Sequence, residues 1–118
     1  MKDELSENVA PPAALPVGNW SLWANGQQGL LTLTGVDQRG NLDGEAFGNR
    51  IFGFWDEPAK KITFVRRVQP GDDSATQVYT GYLFFQDDRK PIIAGSFEAF
   101  RGAGGVASCA LFGWAALQ

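Results

Sequence analysis

Between residues 18 and 117, short runs of apolar, aromatic and β-branched residues alternate with clusters of Gly, Asn, Asp and Pro. No run holds the 3.6-residue period of a helix. Where a period shows, it is two: Leu31 and Leu33 alternate with Thr32 and Thr34, and Ile62, Phe64 and Arg66 with Lys61, Thr63, Val65 and Arg67. The pattern predicts strands over 19–25, 30–36, 41–47, 50–56, 60–68, 76–86, 91–101 and 108–117. Turn chemistry separates them. Asn25-Gly26 is a tight-turn dipeptide, and Asp37-Gln38-Arg39-Gly40, Gly48-Asn49 and Glu57-Pro58-Ala59 mark the next three reversals. A loop is expected over 69–75, around Pro70-Gly71-Asp72-Asp73, and a flexible connection at Gly102-Ala103-Gly104-Gly105.

Short connections make sequential strands antiparallel neighbours. Eight such strands in about 100 residues are the number that closes a small up-and-down barrel, filled by side chains or holding one small ligand. The glycines at 35, 44, 53, 81, 95 and 113 fall inside predicted strands, where they permit the sharp coiling that closure demands. A helical turn within 99–105 or 107–117 is the competing reading of the Ala-rich end, and its glycines oppose it. The expected fold class is therefore all-β, an eight-stranded antiparallel up-and-down barrel over residues 17–118. Residues 1–16, polar and then Pro/Ala-rich, are expected to form a disordered tail.

Composition narrows the chemistry. The 118 residues contain no histidine and one cysteine, Cys109, so Ser-His and Cys-His nucleophile pairs, a disulfide and a structural zinc site are all excluded within one chain. The expectation is a protein without a catalytic role, cofactor or metal. A net charge of −3 without a Lys/Arg cluster argues against nucleic acid. No apolar run approaches the ~20 residues of a membrane helix, and no signal-peptide core precedes the barrel, so no membrane partner and a cytoplasmic location are expected, secretion remaining open if a leader was trimmed. Asp56-Glu57, Asp72-Asp73 and Asp87-Asp88 read as turn acids rather than as a carboxylate pair or a calcium site, since adjacent turn residues point apart. Cys109, between Ala107 and Leu111, reads as a small buried hydrophobe.

Gly18-Asn19-Trp20 at the head of an eight-strand meander resembles the Gly-x-Trp of the calycin superfamily, which includes lipocalins, fatty-acid-binding proteins and avidins. Residues 77–93, with Tyr79, Gly81, the acidic and basic turn 87–90 and Ile92-Ile93, are similar to the hairpin of avidin and streptavidin. On that likeness Phe97 falls where the family has a biotin-contacting Trp, and Tyr79 where it has a ligand-lining Phe. The family's polar biotin ligands are not retained. Leu22 and Ala46 stand at two of their places, and the last strand, Leu111-Phe112-Gly113-Trp114-Ala115, has no acid. The resemblance implies a calycin-like, avidin-shaped barrel without the biotin site.

Strand parity then nominates the lining: Trp20, Phe64, Tyr79 and Phe97 as aromatic walls, with Arg66 and Gln77 as polar anchors near one mouth. By the avidin-like placement, Gly81, Leu83 and Gly95 also face inward. The implied partner is a small apolar ligand with a polar or acidic end. The alternative is a structural barrel whose core these rings fill. An enzyme acting through Tyr79 and Arg66 is a third reading, supported only by their shared pocket. Several strands are aromatic on both faces (Phe52 and Phe54 against Trp55; Tyr82 and Phe84 against Tyr79 and Phe85), which points to an outer wall buried in a homo-oligomer.

Overall fold

A computed structural model describes residues 13–69, 72–103 and 106–118. Eight strands follow one another: β1 (Gly18–Ala24), β2 (Gln27–Val36), β3 (Asn41–Ala46), β4 (Asn49–Asp56), β5 (Lys61–Gln69), β6 (Asp72–Phe85), β7 (Pro91–Ala103) and β8 (Val106–Leu117). Each pairs antiparallel with the next, and β8 returns to β1, closing the barrel. The closing register runs from Ser21 opposite Leu117 to Ala24 opposite Trp114. Thus the strands of Trp20 and Trp114 meet, and the competing helical turn at the C-terminal end is replaced by strand.

Alternation sets the two faces. Along β1 and β3 every second residue is buried, so Trp20, Leu22, Ala24, Leu42 and Ala46 point in while Asn19, Ser21, Asp43 and Glu45 point out. The expected inward residues Leu31, Leu33, Ile62, Phe64, Tyr79, Leu83 and Phe97 are all buried. β2 carries a bulge at Thr34, where the register shifts between Leu33 and Gly35, a kink of the kind that curls a sheet toward closure.

Several boundaries and one side-chain direction differ from the sequence pattern. The loop expected over 69–75 is mostly strand: β5 and β6 continue until Gln69 faces Asp72. Likewise β7 and β8 continue until Ala103 faces Val106, where a flexible connection was expected. Backbone pairing carries both ribbons past the point at which side-chain alternation fades. The turn expected at Gly48-Asn49 sits one residue earlier, because Ala46 pairs with Asn49 and leaves Phe47-Gly48 as the two-residue loop. Phe85, expected on the inward face with Tyr79, is exposed; it ends β6 opposite Pro91, at the barrel's rim. Pro70-Gly71 and Gly104-Gly105 lie outside the described residues, as do the side chains of Asp72, Asp73 and Cys109.

Gly81 and Gly95 explain how the core closes. They face each other across β6 and β7, and Gly95 faces Trp114 on β8. The Trp114 indole lies over the space they leave, its Nε1 donating to Thr80 O and Ser96 O at 3.1 Å each. A Cβ on Gly81 would stand 2.6 Å from Trp114 Cζ2, and one on Gly95 would run into Thr80 O. Gly95, though it shares the inward register, is exposed, since with no side chain its backbone stays open to solvent.

One end of the barrel is shut by the N-terminal approach. The expected tail included residues 13–16, but Leu15 is buried and Pro16 O accepts the Trp20 indole N–H at 3.1 Å. Residues 1–12 lie outside the described residues. Glu57, in the β4–β5 turn, holds this strap: its Oε1 accepts the Ala14 amide and the Trp55 indole N–H, each at 2.7 Å, and its Oε2 pairs with Lys60. The Lys60 ammonium first, then the Trp55 indole, hold the Glu57 carboxyl down at about 2, against an ordinary value of 4.5.

Two predictions follow from these contacts. Gly81→Ala should cost about 1–3 kcal/mol in denaturant unfolding, as overpacking does, whereas Gly113→Ala, with only Gly95 O at 3.9 Å, should be neutral or slightly stabilising; equal losses would contradict the packing argument. Because the Glu57 pKa is depressed on folding, its contribution is present above 4.5 and fades as pH falls toward about 2. Melting of the wild type and Glu57→Gln should therefore differ most near pH 6 and converge in acid. A gap that stays constant to pH 3 would rule this out.

Candidate functional site

Opposite the strap, the barrel ends in a mouth where the hairpins differ in reach. The β1–β2 and β3–β4 hairpins turn tightly, while the β5–β6 and β7–β8 ribbons continue beyond them. Register places four aromatic residues in one inward row: Phe64 faces Tyr79, Tyr79 faces Phe97, and Phe97 faces Phe112. Their rings stack across the interior. Phe64 and Tyr79 lie 4.6 Å apart at 9°, Tyr79 and Phe97 4.6 Å apart at 17°, and Phe97 and Phe112 5.2 Å apart at 33°. Trp114 meets Phe64 and Tyr79 edge-on at 5.7 and 5.5 Å. Both arrangements suit the ring quadrupoles. The ladder fills the middle of the barrel, so the interior is a packed core rather than a through-cavity.

One register step nearer the mouth, Arg66 faces Gln77, and Gln77 faces Ala99. Here the row is long on one side and short on the other, and the packing leaves a recess of about 180 Å³. Phe47, Arg66, Gln77, Tyr79, Phe97 and Phe112 line it, with Asn25 and Gln27 of the β1–β2 turn on the remaining side. Arg66 is half-buried and held on three sides. Its Nε donates to Ala46 O and Asn49 Oδ1 at 3.1 Å, its Nη1 donates to Gln77 Oε1 at 2.9 Å, and its Cζ sits 4.8 Å from the centre of the Phe47 ring. Gln77 Oε1 also accepts the Tyr79 hydroxyl at 2.8 Å. Burial pushes the Tyr79 phenol above its usual value of 10.0, against the opposing pull of Arg66, so it stays neutral and a donor at ordinary pH.

Of the six residues nominated from the sequence, Arg66, Gln77, Tyr79 and Phe97 converge on this recess. Phe64 sits beneath it in the ladder, and Trp20 lies in the core with its indole tied to the strap. Phe47 and Phe112 were missed. Phe112 follows from the parity of β8 once its register with Phe97 is known, and Phe47, expected as the last residue of the third strand, occupies the turn instead, where the strand's alternation no longer applies.

A second concavity of about 210 Å³ flanks the strap at the closed end, between Ala13, the 37–40 turn and Trp55. The Asp37 carboxylate there is engaged by the amides of Arg39 and Asn41 at 2.8 Å and by Asn41 Nδ2 at 2.9 Å. Asp56 and Asp88 accept backbone amides of their own turns, from Ala59 at 3.4 Å and Lys90 at 3.1 Å. That is the turn chemistry expected of them; Glu57 instead clamps the strap. Among the described residues no group of three or more Cys, Asp or Glu could hold a metal ion.

Neither a family model nor a curated protein matches the chain. Solved structures do. The rhizavidin–biotin complex superposes with a TM-score of 0.63 at 14% identity, covering 85% of this chain and 98% of that one. The biotin binding protein from chicken gives 0.66 at 12% identity, covering 86% and 95%. At these identities the likeness is one of architecture, and with the closed eight-strand order it establishes that this chain has an avidin-like fold, a closed antiparallel β-barrel.

Proposed function

We propose that the protein is a non-catalytic binding barrel whose mouth recess takes a small, mostly apolar ligand with a polar or acidic end. The observation that carries this reading is the half-buried Arg66 set among aromatic walls, with Gln77 and Tyr79 beside it. An arrangement of few polar groups in an apolar concavity is how small-molecule sites orient their ligands. Absence of histidine and a phenol pushed toward its neutral form both support binding over proton-transfer chemistry.

The two similar structures are of biotin-binding proteins, but biotin is not the ligand we favour. Leu22 and Ala46 are fully buried hydrocarbon, offering nothing to a ureido group, whose unmade hydrogen bonds would each cost about 1–3 kcal/mol. The recess is also smaller than the ~300 Å³ at which small-molecule pockets usually begin. That size favours a compact ligand. It equally favours the second reading, a filled barrel whose role is structural. Native mass spectrometry of protein purified from its own source should find a retained small molecule, and Arg66→Ala and Phe97→Ala should each weaken its retention. A ligand-free mass, or retention unchanged in both variants, would favour the filled barrel.

We also propose that the barrel forms homo-oligomers through its β4–β8 wall. Outward residues Phe52, Val65, Val78 and Leu111 share one row across these strands, interrupted by Glu98. Further along, Phe54, Tyr82 and Phe84 are about half exposed. An apolar face of this breadth on one side of a small protein marks a contact surface. Sedimentation at micromolar concentration should show a dimer or larger species, reduced to monomer by Phe52→Lys combined with Leu111→Lys. A monomeric wild type would dismiss the proposal.

A further inference from the structure

Two hairpin turns meet at the mouth, and they are built alike. Asn25-Gly26 joins β1 to β2 with φ of 50° and 79°; Phe47-Gly48 joins β3 to β4 with φ of 52° and 80°. Both are two-residue loops with left-handed backbone at each position, the geometry for which Asn-Gly is preferred. The first turn uses Asn. The second uses Phe, whose bulk makes a positive φ costly. Nothing in the turn itself requires an aromatic residue.

What the Phe47 ring does is local to the recess. It covers the Arg66 guanidinium on one side, and it occupies the space beside Gly29 so closely that any Cβ there would overlap it. Strain of this kind persists where the surrounding structure holds it, and it clusters at ligand clamps. Phe47 is thus a wall placed at conformational expense against the one charged group among the described residues of the site.

The charge is the second observation. Arg66 spends Nε and one Nη1 hydrogen on three neutral oxygens, and Nη2 brings two further donors. No acidic side chain is among the described residues lining the recess. A half-buried cation with no acid among the described residues around it is the group a ligand can satisfy best, through short charge-assisted hydrogen bonds. The third observation is size and shape. Four aromatic rings, Phe47, Tyr79, Phe97 and Phe112, wall about 180 Å³, and an apolar cavity of about 150 Å³ suffices to hold benzene.

We infer that the ligand class is a monocyclic aromatic carboxylate, its carboxylate on Arg66 and its ring among the aromatic walls, with Phe47 as the residue that confines it. This rests on the recess being the ligand site. An aliphatic acid would meet the charge but forgo the ring contacts; a neutral arene would do the reverse.

Benzoate, benzamide and hexanoate, titrated into the full chain with amide and arginine Nε–H NMR shifts as readout, separate these terms. Benzoate should saturate the Arg66 and Phe97 signals at least about tenfold more tightly than either other probe. Arg66→Gln should erase its advantage over benzamide. Phe47→Asn, which relaxes the turn and so keeps the fold, should weaken benzoate at least about threefold. Benzamide binding as tightly as benzoate, or an advantage that survives Arg66→Gln, would overturn the anion assignment and leave the recess as a ligand site. Hexanoate matching benzoate would overturn the aromatic one. Silence of the recess signals toward all three would overturn the ligand class, and only if the natively purified protein also carries no small molecule would the binding reading fall with it.

Discussion

Closure of the sheet is the constraint on which everything else rests. The pairing of β1 with β8 spans four residue pairs, from Ser21–Leu117 to Ala24–Trp114, while β6–β7 and β7–β8 pair along ten and twelve. This short seam nonetheless removes both free edges of the sheet. It also turns strand parity into an inside and an outside. Without it the aromatic row of β5–β8 would be one face of an open sheet and could not be enclosed.

Inside that enclosure, packing is set by a trade between glycine and tryptophan. Gly81 and Gly95 give up side chains on adjacent strands, and the Trp114 indole takes the volume and satisfies its N–H on their neighbours' carbonyls. The Phe64–Tyr79–Phe97–Phe112 ladder rests against it. A solid middle then confines any binding to the ends. At one end the strap, pinned by Glu57, covers Trp20; at the other the ladder becomes the floor of the recess, and Arg66 stands on its rim.

The sequence made the barrel legible because two signals agreed. Period-two alternation on strands such as β2 gave the faces, and dipeptides such as Asn25-Gly26 gave the reversals. Where one signal was silent the reading failed. The ribbons through Gln69 and Ala103 are held by backbone hydrogen bonds that leave no hydrophobic pattern, so their sequence carries only the marks of loops. Part of the recess was equally visible: Arg66, Gln77, Tyr79 and Phe97 lie at regular inward positions. Trp20 has the same inward parity but lies in the core beside the strap, because parity places a residue in the interior without saying at which end. Phe47 was invisible, since a left-handed turn residue acts through a ring direction that no alternation encodes. Glu57 had the look of a turn acid, and its long-range bond to Ala14 depends on where the chain's beginning comes to rest.

The apolar wall runs along the staves of the barrel, whereas the strap and the recess occupy its two lids. A neighbour seated against β4–β8 would therefore lie flank to flank with this molecule, their openings pointing clear of the shared plane. Contacts along the flank and access at the recess are thus geometrically uncoupled, and a change at one would not obstruct the other.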